Sequence, residues 1–319
     1  MIASKLSLVI LTIVIAIQLS SASERISARK CKEYESLTQT AFYIRNHLSF
    51  PVNEIKSHHC LHESVQLVIG GTNAMVYEFP HQALLGFNIG RKIEWSCGGS
   101  ILSPNFILTA SHCLVILKTG RGRIMSIPVT LVKVGMLKRL IDDTMTTRTH
   151  DVAETFQHPN YDRRTINNDI ALIRLKDNIE FSDKVYPICL PLKQHDDDEV
   201  IVTGFGRTSG TDAQSDSLLK VGLQRFNFTE CQRLYRMRKL YESSMLCYGH
   251  RTEKKDACQG DSGGPAQVLN DAQSKCTYTQ IGVVSFGPND CGQIGMPGVF
   301  ANVFNYLDWI EGIVWKDEV

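Results

Sequence analysis

The sequence predicts an all-β globular domain of enzyme size, exported from the cell and stapled by disulfides. Three observations carry that reading. Short β-branched runs (101–109, 129–134, 170–175 and 281–286) recur between Gly, Pro, Asn and Asp clusters, the pattern of a barrel or sandwich. An uncharged apolar run opens the chain, and ten cysteines follow it, an even count that in an exported chain reads as disulfides. Of 319 residues, 43% are hydrophobic and 34 Lys+Arg face 33 Asp+Glu, a net charge of +1. That balance excludes disorder and leaves no bulk attraction to nucleic acid or to an anionic membrane, so neither is expected as a partner.

Taken in order, Lys5 precedes the run Leu6 to Leu19, and Ser20 to Ser23 supply small residues for cleavage. This reads as a signal peptide over residues 1–23, because a membrane anchor needs roughly 20 apolar residues. The protein is therefore expected to be secreted. Residues 24–67 carry scattered charges with little periodicity and read as a propeptide or linker. Within them, His58-His59-Cys60-Leu61-His62 lacks a spaced second pair of ligands, so no metal is expected. Two helices interrupt the strands of residues 68–319. Thr229, with Gln232 three residues on, reads as a capping box opening a helix over Cys231 to Lys239, and Val303, Leu307, Ile310 and Val314 mark one face of a C-terminal helix. Arg233, Arg236, Arg238 and Lys239 make the first helix basic, which a solvated face explains more simply than an exosite for a polyanion or partner.

The chemistry concentrates in Asp256-Ala257-Cys258-Gln259-Gly260-Asp261-Ser262-Gly263-Gly264-Pro265. A serine hydroxyl is a poor nucleophile unless a base removes its proton, and the base needs a carboxylate to orient it. His112, in Leu108-Thr109-Ala110-Ser111-His112-Cys113, and Asp169, in Asn168-Asp169-Ile170-Ala171-Leu172, can fill those roles.

With these motifs in the order His, Asp, Ser, residues 68–319 resemble the chymotrypsin-like (trypsin-family) serine proteases. The resemblance implies two six-stranded antiparallel β-barrels with a C-terminal helix, and a serine endopeptidase that uses no cofactor. Ser262 would be the nucleophile, His112 the general base, Asp169 its orienter, and the N–H groups of Gly260 and Ser262 the oxyanion hole. Asp256 would sit at the base of the primary pocket, with Ser285, Gly287 and Gly298 forming its substrate-binding walls, so cleavage is expected after Arg or Lys. Ser111 stands where the family usually has alanine, a change expected to matter little.

Val68-Ile69-Gly70-Gly71 resembles the amino terminus of an activated family member, freed by cutting Leu67-Val68 and pairing with Asp261. The chain is thus expected to be a zymogen. Leu67 is a poor substrate for a pocket containing Asp256, which points to an upstream activating protease of apolar specificity. The resemblance pairs Cys97 with Cys113, Cys231 with Cys247 and Cys258 with Cys291. Cys60 and Cys189 are expected to tether the propeptide after cleavage, with Cys31 and Cys276 pairing by elimination.

Within the family, the closest likeness is to arthropod clip-domain proteases, through Lys30-Cys31-Lys32-Glu33-Tyr34, Leu67, Thr203-Gly204-Phe205-Gly206-Arg207-Thr208 and Tyr306-Leu307-Asp308-Trp309-Ile310. That likeness implies an extracellular cascade of immunity or patterning, a downstream protease zymogen as protein substrate, and a serpin-type inhibitor. A clip domain needs more cysteines ahead of the catalytic unit than Cys31 and Cys60, so the clip is expected to be absent. Competing readings are a regulatory binding protein that keeps the fold and a digestive trypsin. Asn227-Phe228-Thr229 is a glycosylation sequon whose occupancy is left open by the proposed cap at Thr229. Met136 stands where calcium-binding members carry glutamate, so no tight calcium site is expected, and Asp196 to Glu199 reads as a solvated loop.

Overall fold

The computed structural model describes residues 24–35, 71–120, 122–207, 213–254, 256–270, 277–288 and 290–318. The proposed leader, Leu67 and Val68, and Cys60 and Cys276 lie outside them.

The β-branched runs pair into two closed barrels. The first contains β2 (Gln82–Ile89), β3 (Lys92–Ser103), β4 (Phe106–Thr109), β7 (Leu131–Val134), β8 (Arg148–Gln157) and β9 (Ala171–Leu175), in the order β2-β3-β4-β9-β8-β7. It closes where Ala83 pairs with Val134. The hairpin β5 (Val115–Gly120) and β6 (Arg123–Pro128) stands apart from that barrel.

The second barrel contains β10 (Glu199–Gly204), β11 (Leu219–Arg225), β12 (Met245–Gly249), β13 (Pro265–Leu269), β14 (Tyr278–Phe286) and β15 (Gly298–Asn302). Pairing of Gln224 with Gly249 and Arg225 with Tyr248 closes it, and the short β1 (Thr72–Asn73) adds to β11. Both interiors are apolar, filled by residues such as Leu84, Ile107 and Leu172 in one and Val202, Leu223 and Phe300 in the other. The sequence left barrel and sandwich open, and the ring closures decide for barrels.

Between the barrels, beside apolar contacts such as Phe79 on Tyr278, runs a buried polar network. His81 Nε2 lies 2.5 Å from Gln267 Oε1, Gln267 Nε2 donates to Thr203 Oγ1, and Thr203 Oγ1 donates to Gln82 Oε1. A satisfied buried network fixes one relative placement of its partners, because a shifted arrangement would strand several polar groups at once.

Three α-helices occur among the described residues. α1, over residues 26–35, corrects the reading of this stretch as aperiodic linker. Ser27, Cys31 and Tyr34 follow a helical period, and that face docks. Arg25 pairs with Asp308 and Glu311, Ser27 Oγ donates to Glu311 Oε1 at 2.5 Å, and the Tyr34 ring meets Phe181 edge-on at 5.6 Å. Docking brings Cys31 to Cys189, and these two form a disulfide. The expected pairings of Cys189 with Cys60 and of Cys31 with Cys276 are therefore wrong, because counting cysteines could not register a helix face. The other three expected bridges, Cys97–Cys113, Cys231–Cys247 and Cys258–Cys291, are present.

α2 spans Phe228–Leu234, earlier and shorter than the sequence suggests. Its cap is Asn227, whose side chain accepts the Glu230 N–H at 2.8 Å, rather than Thr229. Gln232 turns back to bond Leu240 N and the Arg238 carbonyl, so Arg236, Arg238 and Lys239 lie on a loop instead of a helical face. α3 (Leu307–Val314), with the preceding turn of 3-10 helix, buries Val303, Leu307, Ile310 and Val314 as the periodicity predicts.

Candidate active site

His112 sits on a turn of 3-10 helix, Ser111–Leu114, that leaves β4. The Cys97–Cys113 disulfide clamps this turn to β3, and Ser111 Oγ donates to the Ile170 carbonyl at 2.6 Å. Ser111 therefore ties the histidine turn to the aspartate segment, a contact that alanine would lack. Asp169 precedes β9 and is 2% exposed. Its neighbour Asn168 holds a positive φ of 55°, pinned by bonds from Asn168 Nδ2 to the Asn160 carbonyl and from the Tyr306 hydroxyl to Asn168 Oδ1.

The Asp169 carboxylate is hydrogen-bonded from three directions. The His112 N–H reaches Oδ1 at 2.9 Å, His112 Nδ1 lies 2.7 Å from Oδ2, and Ser285 Oγ donates to Oδ2 at 2.5 Å. Burial alone would lower the imidazole pKa, but the charge and hydrogen bond of Asp169 outweigh it and leave the pKa above its ordinary value. A ring held this way has Nδ1 protonated toward the carboxylate and Nε2 directed away from it, able to accept a proton.

Ser262 comes from the second barrel, on the turn between Cys258 and β13, which closes through bonds of Asp261 N to the Cys258 carbonyl and of Gly264 N to the Asp261 carbonyl. The Ser262 carbonyl accepts the Gly98 N–H from the first barrel at 2.7 Å, so the turn bridges the cleft. Gly263 has a φ of 79°, and a Cβ there would strike Thr109 and Gly98, which requires glycine. Gly260 has a φ of 107°. Among the described residues the N–H groups of Gly260 and Ser262 meet no backbone acceptor, and Ser262 Oγ makes no hydrogen bond to His112. Catalytic contacts of this kind are often long before substrate binds.

Two buried carboxyls flank this turn. Asp261 is held by the N–H groups of Gly206 at 2.7 Å and Cys258 at 2.9 Å, and side chains on Gly204 or Gly206 would collide with it. Burial pushes its pKa up to about 6, against those two bonds. It lines a cavity with Gly71, Lys220 and Asp256. Asp256 is flanked by Gly287 and Gly298, where an added Cβ would lie 3.8 Å and 3.3 Å from its oxygens. Both oxygens are shielded from solvent without a well-formed hydrogen bond among the described residues. Burial raises its pKa to about 7, opposed by the more distant N–H groups of Gly292 and Ala257 and reinforced by the charge of Asp261.

Atoms of Cys97, His112 and Cys113 converge, as do those of Cys31, Glu35 and Cys189. In both groups the sulfurs are joined as disulfides and so have no thiolate to offer a metal. In the Met136 loop, the Lys133 ammonium bonds the Arg139 carbonyl at 3.2 Å and Asp142 Oδ1 at 2.6 Å. Asp196 pairs with Arg225 and Asp197 with His195, so the acidic loop is used in structure.

The structure gathers His112, Asp169 and Ser285 by direct bonds, and Asp256, Gly287 and Gly298 around one carboxylate. Three features were missed in the sequence: the bond of Ser285 to Asp169, the Gly204/Gly206 cradle for Asp261, and the stack of Arg238 on Phe286. The Gly-x-Gly spacing was the available signal for the second, whereas nothing local marks the others.

A double barrel with a histidine–aspartate pair on one side of its cleft and a serine turn on the other defines the chymotrypsin-like fold class. The trypsin family profile matches residues 68–310. Over 304 residues the chain is 33% identical to serine protease snk of Drosophila melanogaster, covering 92% of this chain and 66% of that protein. It is 34% identical to melanization protease 1 of the same organism, covering 77% and 65%. It is 35% identical to trypsin-1 of Astacus astacus, covering 76% and 98%. The chain belongs to the trypsin family of serine proteases and is a serine endopeptidase related to the arthropod clip-domain proteases. It spans about two thirds of the length of the insect relatives named here.

Proposed function

We propose that this protein is a secreted zymogen whose mature form cleaves proteins after Arg or Lys, as one step of an extracellular cascade. The observation that carries the specificity is Asp256, a shielded carboxyl between two glycines that makes no ion pair among the described residues. A guanidinium or ammonium entering along Gly287 and Gly298 gives that carboxyl its partner, whereas an apolar side chain leaves it stranded.

In the proposed mechanism Ser262 Oγ attacks the scissile carbonyl carbon while its proton passes to His112 Nε2. The carbonyl electrons move onto oxygen, which the Gly260 and Ser262 N–H groups stabilise, and Asp169 stabilises the imidazolium. Collapse breaks the C–N bond, His112 returns the proton to the leaving amine, and water repeats the sequence to free the acyl group. Substrate residues before the scissile bond add beside Ser285 to Gly287. β13 pairs with β14 only as far as Val283, and Gly263 and Gly264 bond Val284, so the edge beyond is open to an extended peptide.

Activation would follow cleavage of Leu67-Val68. The cavity between Gly71 and Asp261 is where a new α-amino group reaches the buried carboxyl, ordering the oxyanion turn as it pairs. Leu67 calls for an activating protease with apolar specificity. The Cys31–Cys189 bridge and the docked α1 would keep the cut segment attached. The relatives include a melanization protease and a CLIP domain-containing serine protease, which supports a protein substrate. In this proposal that substrate is a downstream zymogen, and a serpin-type inhibitor controls the enzyme. Asn227 is exposed and caps the helix through its side-chain oxygen, and its side-chain nitrogen makes no hydrogen bond among the described residues, which leaves it available for a glycan.

The test is to treat the purified precursor with chymotrypsin or trypsin, sequence the new amino terminus, and assay Arg, Lys, Phe and Leu peptides. Activity that appears with a Val68 terminus and favours Arg and Lys supports the reading. Activation by trypsin through a cut at Leu67, or a preference for Phe, contradicts it.

A further inference from the structure

The basic segment after α2 lies against the substrate edge. The Arg238 guanidinium sits 4.4 Å over the Phe286 ring, and Phe286 stands between Ser285, bonded to Asp169, and Gly287, beside Asp256. Tyr235 supports the arrangement: its ring meets Phe286 edge-on at 5.8 Å and its hydroxyl donates to the Pro297 carbonyl at 2.6 Å, next to Gly298. Gln232 fixes the loop by donating to the Arg238 carbonyl, and Arg238 N donates to Tyr235 O.

Neighbouring arginines outside this loop are neutralised, Arg225 by Asp196 and Arg251 by Glu230. Arg233, Arg236, Arg238 and Lys239 are exposed and take part in no ion pair among the described residues, and Met237 between them is fully exposed. Cations at the end of α2 and on the following loop that lack a carboxylate partner, Arg238 and Lys239 resting instead on aromatic rings, make this side of the strand edge complementary to negative charge.

We infer that Arg238, with Arg236 and Lys239 behind it, is a specificity determinant that selects substrates carrying Asp or Glu two to four residues before the scissile Arg or Lys. This rests on the trypsin-like reading of Asp256 and on the placement of substrate along Ser285 to Gly287. A peptide laid on that edge brings its upstream side chains over Phe286, where the guanidinium is held by stacking. An acidic side chain there gains an ion pair, and a basic one meets like charge. The substrate class is thus an acidic segment ending in Arg or Lys.

The experiment uses the activated enzyme and peptides with a fixed scissile Arg, bearing Glu-Glu, Ala-Ala or Lys-Lys three and four residues before the bond, and a matching set with those pairs after it. Expected kcat/KM falls in the order Glu, Ala, Lys for the upstream set, by about two- to fivefold per charged residue, mostly through KM. High salt and Arg238→Gln should each shrink the Glu-to-Lys ratio, and Arg238→Lys should keep part of it. If all Arg peptides are cleaved with upstream charge making no difference, or if the preference lies only after the bond, the inference is overturned. Failure to cleave any Arg peptide would instead defeat the Asp256 reading on which it rests.

Discussion

The Asp256 carboxyl provides a quantitative test of substrate binding, because its pKa of about 7 places its ionisation inside the working pH range. On the proposed specificity a cationic substrate binds the ionised form, so apparent affinity should scale with the ionised fraction. That fraction is about nine-tenths at pH 8 and about one-tenth at pH 6, which predicts about a tenfold loss of affinity over the interval. His112 also titrates, so the measurement should be binding rather than turnover. A small arylamidine added to the activated Ser262→Ala variant, followed by calorimetry, isolates the pocket. Proton release should accompany binding near pH 6.5, because the bound cation drives Asp256 to its charged form. Asp256→Ser should bind weakly and with no pH dependence in this range. An affinity for the wild-type pocket that stays flat from pH 6 to pH 8 would show that the carboxyl is not desolvated as the structure has it, and the specificity argument would lose its basis.

Other consequences can be checked separately. Ser285→Ala removes a charge-assisted bond to Asp169 and should raise the barrier by about 1.5–3 kcal/mol, seen mainly in kcat with the pH profile shifted. After cleavage at Leu67, the protein should run as one band without reductant and two with it, and Cys31→Ser should lower stability by about 2–4 kcal/mol in denaturant titration. The Asp261 pKa near 6 lies above that of an unfolded aspartate, so the folded chain holds a proton the unfolded chain releases. Its contribution is fully present below about pH 4 and is lost as pH rises through 6, a change of about 3 kcal/mol. Asp261→Asn should remove that slope from the melting curve of the full chain. Lys133→Met should loosen the loop around Asp142, detected as faster amide exchange at residues 139–147.

Much of the candidate site was legible in the linear chain because the proposed chemistry demands particular residues in fixed local settings. A turn that points a serine out of a barrel must use glycines such as Gly263, and a histidine turn clamped by a disulfide leaves the Ala-Ser-His-Cys pattern. Strand texture and the stripe on α3 were likewise local properties, written as residue periodicities. What the sequence could not supply were contacts between distant segments. The partner of Cys31 depended on where a ten-residue helix docks, and helix period alone says which face is presented, not what it meets. Ser285 reached Asp169, and Arg238 reached Phe286, only because barrel closure and the Gln232 turn set them side by side. Amino-acid order by itself named the candidate reacting groups and the strands that carry them. Tertiary packing decided which carboxyls lost their water, and therefore which pKa values moved, because desolvation is a property of the assembled surroundings rather than of the residue.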